Sequence, residues 1–272
     1  MNNNFNVYPK FDKIERYDIN SKNKLFIGHI GKSKFFVKEY IVRKGREKED
    51  ILKAKHEILC YKKIRVIKLP KVVLANFNKR TLILEFVELK DIEASKSNVD
   101  KILRLYLGKV IKIDASFLPK TDYGYYTRDL YKHAKILGRL GIIKNFDEKY
   151  RLITDNMALI RKSKKCFSHG DLHLGNVKYY GKELTMIDLE HAKRDNPMHD
   201  LASLYIDIYH DKKLAKYFLN KLRKTKIFND KLFSIMILVR SIEILFALKD
   251  EPELKTFQIT KRLVNECDFI DS

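Results

Sequence analysis

The sequence predicts an α+β chain in two parts: a small antiparallel sheet with one main helix over residues 1–88, and a larger, mostly helical part over 89–272. Three observations predict it. Strand-like runs separated by turn signals crowd into the first part. Beyond residue 99 the apolar residues recur at helical spacing, interrupted only by one hairpin. Finally, 272 residues with 45% hydrophobic content are large for one core and natural for two.

Element by element, Lys24-Leu25-Phe26-Ile27 and Phe35-Phe36-Val37-Lys38-Glu39-Tyr40 read as strands joined by the loop Gly28-His29-Ile30-Gly31-Lys32-Ser33. Residues 47–66 have helical character, with Glu57 in line with Ala54, Tyr61 and Ile64 at the three, four and seven spacings of one face. After Pro70, residues 71–75 and 81–87 form two apolar runs around the turn-prone Asn76-Phe77-Asn78-Lys79-Arg80. Helices follow near 99–115, 128–141 and 147–161, then 201–210, 212–222 and 231–248. Arg240 and Glu243 interrupt the most apolar of these well short of the ~20 apolar residues a membrane span needs, so it reads as a buried helix.

Composition narrows the class. Cys60, Cys166 and Cys267 are odd in number, scattered and without Cys-x-x-Cys spacing, which favours reduced thiols in a cytoplasmic setting over a disulfide framework or zinc site. The first six residues lack the basic and apolar regions of a secretory signal. A net charge of +21 creates a field that favours anionic partners such as phosphorylated sugars, an anionic membrane surface or nucleic acid. The excess is uneven, since residues 200–272 hold 13 Lys and Arg against 11 Asp and Glu, leaving 43 against 24 upstream. A Lys-, Asn-, Ile- and Tyr-rich composition accounts for the excess as readily as a functional patch does.

The chemistry concentrates in Ser168-His169-Gly170-Asp171-Leu172-His173-Leu174-Gly175-Asn176, followed by Met186-Ile187-Asp188-Leu189-Glu190. Phosphoryl transfer asks a protein for a base to orient the attacking hydroxyl and for oxygen ligands to Mg²⁺. Asp171 suits the first role, Asn176 and Asp188 the second. Strands at 177–180 and 183–187, with Gly181-Lys182 as the turn, would return Asn176 and Asp188 to one end of a hairpin, close enough to share a metal.

On these words, and on Asp200-Leu201-Ala202 downstream, the chain resembles the aminoglycoside phosphotransferase and choline kinase family, the small-molecule branch of the protein-kinase-like bilobal fold. The resemblance is specific from Ser168 to Leu204 and diffuse elsewhere. It implies Asp171 as catalytic base, Asn176 and Asp188 as magnesium ligands, Asp200 as a buttress from a helix N-terminus, and His169 as structural support. His173 reads as shaping the loop. A nucleotide site of this type also needs a strand lysine for the phosphates and a helical glutamate to orient it. Lys38 and Glu57 are the candidates, because a carboxylate on an apolar face needs a cation; a pair between Glu57 and a cation at the helix edge is the other reading. Gly28 and Gly31 fall where a phosphate-covering hairpin belongs. Glu85, Phe86 and Val87 fall where a linker meets the adenine of ATP, although Phe86 and Val87 read equally as core residues.

Only twelve positions separate Asp188 from Asp200, without an Ala-Pro-Glu word, and Glu190 replaces the glycine of Asp-Phe-Gly. That argues against a protein kinase. A pseudokinase or a basic nucleic-acid module would need no Asp171, Asn176 and Asp188 together. The expected reaction is transfer of the γ-phosphate of ATP to a small-molecule or glycan hydroxyl. Aminoglycosides and choline are cations, which so basic a chain suits poorly unless Asp207, Asp211 and Glu243 build a local acidic pocket. The charge favours an anionic or neutral acceptor, such as a sugar of a cell-envelope glycolipid.

Overall fold

The computed structural model describes residues 9–17 and 22–266. Cys267 and the first six residues, on which two sequence expectations rest, lie outside them. The described chain forms two compact units: residues up to Lys90 with Lys178–Ala192, and Asp91–Val177 with the residues from Lys193 onward.

In the first unit, β1 (Lys13–Arg16), β2 (Lys24–Ile30), β3 (Ser33–Glu39), α1 (Glu47–Lys63), β4 (Val72–Asn76) and β5 (Thr81–Glu85) follow in order. The five strands make one antiparallel sheet in the order β1-β2-β3-β5-β4. Lys38 sits on β3 opposite Leu25 and Leu82, so its register is fixed from both sides. Helix α1 turns Ala54, Glu57, Ile58 and Tyr61 inward, the i, i+3, i+4 and i+7 pattern of a core-facing stripe. Strand β6 (Leu89–Asp91) leads out of this unit.

The second unit holds α2 (Lys96–Gly108), α3 (Tyr123–Arg139), α4 (Phe146–Asp155), α5 (Met157–Lys162) and β7 (Cys166–Ser168). The chain then makes the hairpin β8 (Val177–Tyr180) and β9 (Glu183–Met186), and returns with β10 (Lys193–Asp195), α6 (Pro197–Ile208), α7 (Lys212–Leu222), α8 (Asp230–Ala247) and α9 (Lys255–Glu266). Side chains of Ser95, Asp122, Asp211 and Asn229 accept backbone N–H groups at the starts of α2, α3, α7 and α8, the usual way a helix satisfies its orphan donors. Helix α8 is the spine: Met236, Leu238, Val239 and Leu245 are buried, and α3, α6 and α9 pack on it. Among the described residues no helix is long and apolar enough to cross a membrane.

Three local differences from the sequence expectations have physical causes. Gly28 lies inside β2, not in a loop, because β2 pairs with β3 as far as Ile30 and Ser33, leaving Gly31 and Lys32 as the turn; the unforeseen β1 pairs Ile14 with Gly28 on the other edge. The helix expected over 147–161 breaks into α4 and α5 at Asn156, whose side-chain amide donates to the carbonyl of Leu152. Residues 178–192, read from sequence as part of the second lobe, cluster with the first unit. The sheet β6-β8-β9 and the hydrogen bond from the Thr185 hydroxyl to the carbonyl of Lys68 hold them there.

Candidate active site

In the first unit the Lys38 ammonium is met by Glu57 Oε2 at 2.7 Å, Asp188 Oδ1 at 2.9 Å and Glu190 Oε2 at 3.5 Å. Lys38 and Glu57 are only 7% and 2% exposed. Burial alone would lower the lysine pKa, but Glu57, then Asp188 and Glu190, outweigh it and hold the ammonium charged far above its ordinary range. The Tyr40 hydroxyl donates at 2.8 Å to the same Glu57 oxygen, Oε2, that Lys38 meets, which fixes the carboxylate against the lysine. Glu57 therefore meets Lys38, not a cation at the helix edge.

Asp188 adopts a left-handed backbone (φ 58, ψ 59) between β9 and the helical turn Leu189–His191. Such strain in a non-glycine residue persists where surroundings enforce it, often at functional sites. Its carboxylate, with those of Glu57 and Glu190, brings three oxygen ligand atoms within 4.8 Å of one another. Burial opposes ionisation of Glu190, yet His191 and Lys38 hold its carboxyl well below the ordinary range. Glu57 and Glu190 are turned to the buried Lys38, while the Asp188 side chain is 43% exposed and offers the hard carboxylate oxygen that a magnesium ion takes.

The other expected nucleotide contacts are placed as follows. Gly28 is strand, and the Phe11 ring occupies the space where a Cβ would project. Gly31 makes the β2–β3 turn with φ +55, and its N–H donates to the Asp12 carboxylate at 2.7 Å. The Glu85 N–H donates to Lys71 O, the Phe86 N–H to Lys34 O, and the Glu85 carboxylate accepts from the Tyr180 hydroxyl. Val87 follows directly, half-buried.

In the second unit the loop after β7 is clamped by one carboxylate. Asp200, fully buried in the first turn of α6, accepts from the Ser168 hydroxyl (2.9 Å), the His169 N–H (2.7 Å), the Gly170 N–H (2.9 Å) and the Tyr106 hydroxyl (2.9 Å). Burial works to raise its pKa, but hydrogen bonding and charge from His199 and His169 bring the carboxyl down to about 2. Gly170, at φ +83, makes the bend that L side chains rarely adopt. His169 is buried at the clamp.

Beyond the bend, the Asn176 side-chain amide donates to the Asp171 carbonyl at 2.9 Å, which orients its planar group. His173 accepts the Gly175 N–H at Nδ1, so its neutral ring carries the proton on Nε2, 3.9 Å from Asp171 Oδ2. The Asp171 side chain is 38% exposed, and its Oδ1 is held by Arg240 Nη2 at 3.0 Å.

Sequence reasoning missed Arg240, which looked like an interruption of an apolar helix. Its Nε donates to the Ser203 hydroxyl at 2.6 Å and its Nη1 to Glu243, which also lies 3.5 Å from His199 Nε2. The three acidic residues suggested for an acceptor pocket each hold a neighbour in the structure. Asp207 accepts the Leu174 N–H, Asp211 caps α7, and Glu243 holds Arg240.

Comparison with known proteins bears on the family and the fold. Residues 27–226 match the phosphotransferase enzyme family. None of the curated proteins matches the sequence. Among solved structures, choline kinase LicA from Streptococcus pneumoniae superposes with a TM-score of 0.64 at 15% identity, over 92% of this chain and 90% of that one. Macrolide 2'-phosphotransferase type I gives 0.63 at 12% identity, over 95% and 93%. A thermostable mutant of aminoglycoside phosphotransferase APH(4)-Ia, in ternary complex with ADP and hygromycin B, gives 0.63 at 9%, over 92% and 91%. These likenesses show the protein-kinase-like fold, and with a family match spanning most of the sequence the chain belongs to the phosphotransferase enzyme family.

Proposed function

We propose that this phosphotransferase moves the γ-phosphate of ATP to the hydroxyl of a small molecule or glycan, with Asp171 as the base. The observation that carries the reading is the Asp171 carboxylate: partly exposed, held at one oxygen by Arg240, and set on a loop whose backbone Asp200 clamps at two successive N–H groups. A carboxylate so placed orients an acceptor hydroxyl and takes its proton as the oxygen attacks phosphorus. Lys38, kept charged and steered by Glu57, binds the nucleotide phosphates. Asn176 and Asp188 would hold Mg²⁺, which supplies neutralisation of phosphate charge when bound.

Support for a small acceptor comes from the segment between Asp188 and Asp200. It is used up by a helical turn, β10 and the first turn of α6, with no length for a peptide-docking platform. Support for a neutral or anionic acceptor, such as a glycolipid sugar, comes from the guanidinium beside the base and the +21 charge. The buried, unbridged Cys60 and Cys166 fit a cytoplasmic setting. Asp171→Asn should lower turnover about 10²–10⁴-fold, the usual worth of general-base catalysis, while nucleotide affinity holds within twofold. Turnover matching wild type would remove Asp171 from the base role.

A further inference from the structure

Helix α1 has a second face that the nucleotide site does not use. Lys48, Ile51, Leu52, Lys55, Leu59, Lys62 and Lys63 fall on about a third of the helix circumference, opposite the stripe that carries Glu57. Ile51 and Leu52 are 50% and 48% exposed, and all four lysines are exposed. No acidic residue shares the stripe; Glu47 and Glu49 flank its first turn, where Glu49 pairs with Lys53. The same face is extended by exposed Phe77, over whose ring the Lys62 ammonium sits at 5.5 Å.

We infer that this face docks on the surface of an anionic lipid bilayer. The pattern is half-exposed aliphatic side chains, Ile51 and Leu52, to either side of Lys48 and Lys55, with Lys62 and Lys63 further along the same stripe. Lysine stems can cover apolar surface while their ammonium groups reach toward phosphate, and the aliphatics enter the headgroup boundary. Charge complementarity selects the occupant, since each lysine near an anionic leaflet strengthens binding about fivefold (about 1 kcal/mol). A polynucleotide would also meet the lysines, but it would leave the half-exposed Ile51 and Leu52 unused, and the one aromatic ring placed at this face, Phe77, is covered by the Lys62 ammonium. The inference is independent of the phosphotransfer reading.

The test is flotation of the full chain with vesicles of phosphatidylcholine alone and with 30% phosphatidylglycerol, comparing wild type, Lys55→Glu/Lys62→Glu and Ile51→Ser/Leu52→Ser. Thermal unfolding checks that each variant folds, and binding to a single-stranded polynucleotide is measured in parallel. Wild type should bind only the anionic vesicles, the charge variant at least tenfold more weakly and the aliphatic variant at least threefold more weakly. Absence of wild-type binding, equal binding to neutral vesicles, or either folded variant binding like wild type would overturn it. So would polynucleotide binding that the aliphatic variant weakens in parallel with vesicle binding, because insertion of Ile51 and Leu52 would then explain neither.

Discussion

Arg240 carries two burdens that mutation can separate. Its guanidinium neutralises Glu243 inside the second unit and restrains Asp171 at the surface. Arg240→Met should cost about 3–5 kcal/mol in urea unfolding, because it strands a buried carboxylate. Adding Glu243→Leu should recover most of that stability, yet turnover should stay at least tenfold down because Asp171 has lost its restraint. Recovery of turnover along with stability would make Arg240 purely structural. Lys38 and Glu57 were legible in the sequence because each is a charge on an otherwise apolar strand or helix face, and each needed a partner the other could supply. Arg240 presents the same signature, but its partner Asp171 lies 69 positions away and nothing local points to it. Glu190 was visible as a departure from glycine; its approach to Lys38 was not.

At the scale of elements, the loop after β7 depends on the charge of Asp200. The folded carboxyl titrates at about 2 against an ordinary 3.8, so its contribution is complete above its unfolded pKa and is lost as pH falls from about 4 toward 2. The size is about 2–3 kcal/mol. Urea unfolding of wild type should therefore weaken between pH 4.5 and 3 more steeply than that of Asp200→Asn, which starts lower and lacks this titration. Equal slopes would mean the clamp holds as well when neutral. The β2–β3 hairpin offers a second test: Gly28→Ala drives a methyl into the Phe11 ring and should cost about 1–3 kcal/mol by overpacking. Gly28→Ala/Phe11→Ala should regain part of it in thermal unfolding. Helices α7 and α8 were readable to within a residue because their apolar residues are dense and side-chain caps mark their starts. Helix α9 escaped because Thr260 interrupts the stripe of Phe257, Leu263 and Val264. Strand β1, Lys-Ile-Glu-Arg at a sheet edge, has no apolar alternation to betray it.

For the whole molecule, the proposed machinery is divided: Lys38, Glu57 and Asp188 belong to the first unit, Asp171, Asn176 and Asp200 to the second. Both halves of the motif were legible as chemistry, but the hairpin's membership of the first unit was not, since sheet pairing with β6 across some ninety residues leaves no local trace. Asp188→Ala should abolish magnesium-dependent turnover with little loss of stability, because the removed side chain is 43% exposed; turnover titrated against Mg²⁺ reads this directly. The most direct test of the central claim is transfer of label from γ-³²P-ATP to hydroxyl compounds, screened over sugars, glycolipids, amino alcohols and aminoglycosides. The account predicts a labelled acceptor that requires Mg²⁺ and a loss of about 10²–10⁴-fold in Asp171→Asn at preserved nucleotide binding. Label transfer undiminished in that variant, or transfer independent of divalent metal, would contradict it.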